Sequence, residues 1–74
     1  MRANTLSSFG MAVKVAMLKR GMKQVELIEL VKQDTGLFVD DSYMYKILHG
    51  ERKPKVLIDS IKKILELKED DSNE

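Results

Sequence analysis

Apolar residues recur along most of this chain at spacings of three and four, the repeat that gathers side chains on one face of a helix. Leu6, Phe9, Val13, Ala16 and Met17 make the first such stripe, and Lys14, Lys19 and Arg20 fall mostly off it. Thr5, Ser7 or Ser8 can cap a helix running to about Arg20. Gly21 then stands where a C-cap glycine belongs, after two cations that favour the negative end of the helix dipole. A second helix is expected from about Gln24 to Gln33 or Asp34, with Leu27, Ile28 and Val31 on its apolar face and Leu30 beside it. Glu26 and Glu29 favour its N-terminal end, but Lys23 is a poor cap, so this start is expected to be loosely defined. Thr35-Gly36 ends the helix. Leu37-Phe38-Val39 reads as an apolar connector, with Phe38 and Val39 plugging the core.

Asp40 or Asp41 caps the third helix, which runs to about Leu48. Met44, Ile47 and Leu48 face inward, leaving Tyr43, Lys46 and Tyr45 outward. Gly50 stops it. Pro54 stands at or just before the first turn of a fourth helix, where a missing N–H costs little. That helix is expected to reach about Leu67, with Leu57, Ile58, Ile61, Ile64 and Leu65 inward. Residues 1–4 and the polar stretch 68–74 are expected to be disordered. No strand alternation, hairpin dipeptide or internal repeat is visible. The expected fold is all-α, a single domain over residues 1–67 with four helices and room for a fifth short turn, followed by the acidic tail 68–74.

Composition narrows what such a fold can do. With 74 residues the core is marginal, and helix packing is the cheapest way to stabilise it. There is no cysteine and one histidine, so neither a disulfide nor a metal site is expected. No apolar run approaches the roughly 20 residues that span a bilayer, nor a signal-peptide core of about 7–15. The chain reads as unprocessed and cytoplasmic. Net charge is +1, but it is segregated: residues 1–65 carry 12 basic and seven acidic groups, and residues 66–74 one basic and five acidic. A basic body suits a polyanion, although helix surfaces carry many lysines in any case. Ser7, Ser8, Ser42 and His49 form no nucleophile–base–orienter arrangement, so no enzyme activity and no cofactor is expected.

Three segments carry a more specific signal: Gly21-Met22-Lys23-Gln24-Val25-Glu26-Leu27, then Val39-Asp40-Asp41-Ser42-Tyr43-Met44-Tyr45-Lys46-Ile47, then Gly50-Glu51-Arg52-Lys53-Pro54. Their order resembles the lambda-repressor-like helix-turn-helix family, the family of phage Cro and repressor proteins and Xre-type regulators. The resemblance covers roughly Phe9 to Leu67. It implies a small cytoplasmic regulator, nucleoid-associated when bound, that reads operator DNA with the third helix, near residues 41–48. It implies a phosphate or base contact for Gln24, and base contacts in the major groove for Asp41, Ser42, Tyr43 and Lys46 with Tyr45 at the flank. Backbone phosphates would meet Arg52 and Lys53, with His49 beside them. A module this small is expected to bind as a homodimer on a near-palindromic site, through exposed apolar residues near Leu65 and Leu67.

The sequence departs from the family in three places. The stretch between the two motif helices is about four residues longer, Ile28 replaces a small alanine, and Asp40-Asp41 stands at the reading end. Aspartate can accept from a cytosine amino group, but it repels phosphate. Each site residue also has a plainer reading. Gln24 is a polar first-turn residue; Ser42, Tyr43 and Lys46 form a solvated face; Tyr45 reaches a phosphate or packs on the connector; Arg52, Lys53 and Lys55 are a charged turn; His49 is an exposed helix-end residue. The alternative function is an antirepressor or inhibitor with the same fold that binds a repressor protein instead of DNA. An accessory DNA-bending factor is a weaker third reading.

Overall fold

The computed structural model describes residues 6–67, which form four α-helices in chain order: α1, Ser8–Arg20; α2, Gln24–Thr35; α3, Asp41–Leu48; and α4, Lys55–Leu65. The lead 1–4 and the tail 68–74 expected from sequence lie outside the described residues. Among the described residues there is no strand, and no helix is long and apolar enough to cross a membrane.

Each boundary has a local cause. Ser7 caps α1, accepting from the Gly10 N–H at 3.0 Å. Gly21 ends it with φ 64°, a left-handed conformation that costs glycine little. The start of α2 is better defined than Lys23 suggests. A lysine side chain has no acceptor, but the Lys23 N–H donates to the Glu26 carboxylate at 2.8 Å, the return half of a capping box. Asp40, not Asp41, caps α3, through a 2.9 Å bond from the Tyr43 N–H. Pro54 precedes α4 as its N-cap, and the Ile58 N–H bonds its carbonyl at 2.9 Å. α4 ends at Leu65, two residues short of the expected Leu67. Glu66 takes φ 58°, and the Arg20 guanidinium donates to the Leu65 carbonyl at 2.9 Å, closing the helix from α1.

The core draws on every helix. Val13 and Met17 of α1, Leu27, Ile28 and Val31 of α2, Met44, Ile47 and Leu48 of α3, and Leu57, Ile61 and Leu65 of α4 are buried together with Val39. Ile58 and Ile64 pack half-buried against them. The broadest packing is between α2 and α4. It is pinned at the last turn of α2, where Asp34 accepts from Ser60 Oγ and from Lys63 Nζ, each at 2.7 Å. Gln33, Asp34 and Thr35 form the last turn of α2.

Two expectations about packing change. Phe38 is 72% exposed and Val39 1%. Successive residues of an extended connector point to opposite sides, so seating Val39 in the core turns Phe38 outward. Tyr43, expected outward, is half-buried against the core.

Gly10 decides how α1 meets α3. A Cβ on Gly10 would sit 1.9 Å from the Leu48 carbonyl oxygen, so only glycine permits this approach. The same carbonyl accepts from the Ser7 N–H at 3.2 Å and from Ser7 Oγ at 2.9 Å. The start of α1 is thus fastened to the end of α3 by a carbonyl that α3 itself leaves unpaired.

Candidate nucleic-acid interface

The outward face of α3 follows from its inward one. Met44, Ile47 and Leu48 occupy one side, so Asp41, Ser42, Tyr45 and Lys46 are exposed on the other and Tyr43 lies at the edge. Beyond α3 the chain turns sharply at Gly50, which has φ 79°. The Lys46 carbonyl accepts from the Glu51 N–H at 2.8 Å and the Arg52 N–H at 3.3 Å. That pair of bonds folds Arg52 back along α3. Ser42, Tyr43, Lys46 and Arg52 consequently line one shallow surface depression with Phe38 and Asp40.

The remaining residues singled out from sequence lie elsewhere or are engaged. Lys53 lines a separate groove with Ser7, Ser8, Phe9, Ile58 and Lys62. Gln24 is half-buried, and its Oε1 accepts from Lys14 Nζ at 3.2 Å. Tyr45 is exposed on α3. Its ring stacks on His49 with centroids 3.9 Å apart and planes 23° apart, and His49 Nδ1 lies 2.8 Å from the Tyr45 carbonyl. The stack is an i,i+4 pair. Asp41 is exposed, and its carboxylate has no hydrogen bond or ion pair among the described residues.

Electrostatically the depression is balanced, with Lys46 and Arg52 facing Asp40 and the neighbouring Asp41. The Asp40 carboxylate is committed to the α3 cap, and Asp41 adds a second negative charge at the same helix end. At a helix N-terminus the backbone dipole favours both.

Sequence reasoning missed two contributors. Lys14 reaches Gln24 only because α1 and the start of α2 are brought together, and no spacing rule relates positions ten apart across a turn. Phe38 was assigned to the core because it is large and apolar. The signal that could have placed it outside is its neighbour Val39, whose burial in an extended connector leaves Phe38 the solvent side. Lys32 Nζ lies 5.9 Å from the Phe38 ring centroid, within cation–π range.

No family model matches the chain, and comparison with curated proteins and with solved structures gave no significant match.

Proposed function

We propose that the protein is a small sequence-specific DNA-binding regulator of the lambda-repressor-like type, in which α2 and α3 act as a helix-turn-helix. The observation that carries this reading is the meeting of Ser42, Tyr43 and Lys46 with Arg52 around one depression. In this reading α3 enters the major groove. Ser42 and Lys46 supply hydrogen-bonding groups to base edges. Arg52 and the Lys14–Gln24 pair meet phosphates on either side. Two copies bind half-sites about one helical turn apart. The role is binding, without catalysis or cofactor, in the cytoplasm. The test is fluorescence anisotropy of a labelled random-sequence duplex at low and near-physiological salt. Binding that weakens steeply with salt is expected, since counterions are released as phosphates are neutralised. No binding even at low salt would remove this reading.

One observation favours a second reading, a protein-binding inhibitor or antirepressor. The exposed Asp41 carboxylate stands at the start of α3, and Phe38, 72% exposed, lines the depression beside Asp40. An acidic helix end with an aromatic anchor suits the basic surface of a repressor. Asp41→Arg separates the two. As a DNA reader the variant binds duplex as well as the parent or better; as an inhibitor it loses its repressor partner in a pull-down.

A further inference from the structure

α1 is apolar on two opposite sides. At about 100° of rotation per residue, Phe9, Val13, Ala16 and Met17 share the arc that meets the core. Met11, Val15 and Leu18 share the arc across from it. Leu18 is 81% exposed, more than any other large apolar side chain described. Met11 and Val15 are exposed with it, and nothing among the described residues covers this outer side. A groove beside it, toward the end of α4, is lined in part by Met11, Val15, Lys19 and Arg20. Arg20 also borders a second groove, where Met22, Val25, Glu26, Glu29 and Leu30 lie. Contiguous exposed apolar surface of this kind marks an interaction site.

The two adjoining grooves differ in charge. Lys19 lines the first, where Arg20 is paired with Glu66 at 3.7 Å, while Glu26 and Glu29 line the second. We infer that this face is the contact between two copies of the chain, with α1 of each copy lying along the α2 groove of the other. A two-fold axis makes that contact twice and closes the assembly. Val15 and Leu18 then cover Val25 and Leu30 of the second copy, and Lys19 meets its Glu29. Of the residues expected from sequence to make this contact, Leu65 is 2% exposed and part of the core and Leu67 is half-buried against it, and both line the groove beside α1. That two copies meet rests on the two-copy reading proposed above, but the α1–α2 face shares no lining residue with the depression on α3, so the mass measurement and the duplex titration report on the two separately.

The test is the mass of the intact chain in solution, by light scattering or sedimentation across a concentration series. Twice the 8.5 kDa chain mass is expected. Leu18→Glu should give the single-chain mass with an unchanged helical circular-dichroism spectrum, since Leu18 makes no core contact. Lys19→Glu should weaken association at least about tenfold, the effect of ~1.4 kcal/mol, and adding Glu29→Lys should restore it. Rescue by the reversed pair cannot come from a variant that is merely less stable. A single-chain mass for the parent at every concentration overturns the inference and leaves the face to some other partner. A parent dimer that Leu18→Glu leaves intact also overturns it, by putting the contact elsewhere.

Discussion

At the scale of single residues, Gly10 and Phe38 are the two whose roles differ most from what their side chains suggest. Gly10 lies in the first turn of α1, where an alanine would raise helix propensity. Its missing side chain is nevertheless what lets α1 rest on the Leu48 carbonyl. Gly10→Ala should destabilise the fold by about 2–3 kcal/mol, the upper part of the range for overpacking a tight contact. Urea unfolding reads this directly, and a variant as stable as the parent would show that the two helices can separate at no cost. Phe38 is the reverse case. A large apolar side chain left in solvent contributes little to folding, so Phe38→Ser should change stability by no more than about 0.5 kcal/mol. It should still weaken binding of whatever occupies the α3 depression, as an anisotropy titration beside the parent would reveal.

At the scale of helices, the ends carry much of the information. Asp40→Ala removes the α3 cap and should cost about 1 kcal/mol, seen as a lower denaturation midpoint. Asp41→Ala, which removes a carboxylate with no described partner, should not reproduce that loss. The last turn of α2 makes a pH-dependent contribution. The Lys63 ammonium and then the Ser60 hydroxyl, both hydrogen-bonded to Asp34, hold its carboxyl below the ordinary value of 3.8. A carboxyl whose pKa is depressed by folding stabilises the native state fully above its unfolded value. It loses that stabilisation as pH falls through the folded one. The parent should therefore exceed Asp34→Asn in stability at neutral pH, and the gap should close as the solution is acidified below that value. The size of the gap is limited by solvent screening, since Lys63 is largely exposed. Equal stability of the two at neutral pH would mean that the contact merely decorates the α2–α4 packing.

At the scale of the whole molecule, charge separates the functional readings. If α3 meets duplex DNA, Lys46→Ala and Arg52→Ala should each reduce the slope of log affinity against log salt by about one unit when the lost contact is to phosphate. A lost base contact should instead cost about 1–3 kcal/mol at the preferred site and relax specificity there. Lys53→Ala should differ from both, because Lys53 faces a separate groove. Titrations at three or more salt concentrations distinguish these outcomes. Identical slopes for all three variants would disconnect the depression from phosphate binding.

The sequence by itself determined the four helices, nearly all of their inward faces, and the turn that carries Arg52. These depend on neighbours a few positions apart: the three-and-four repeat of Val13 with Met17, an aspartate cap at Asp40 or Asp41, the glycines and Pro54. Local sterics and hydrogen bonding decide such features before the chain is compact. Only the tertiary structure decided the rest. It turned Phe38 outward by seating Val39, made Gly10 the point of closest approach, joined Lys14 to Gln24, and set Asp34 against Ser60 and Lys63. It also drew Arg52, but not Lys53, to the face of α3. Each of these depends on how helices dock, and docking is set by the shape and volume of many side chains together. The outer stripe of α1 belongs to the same class, because Met11, Val15 and Leu18 read as ordinary helical residues until the core has been filled without them.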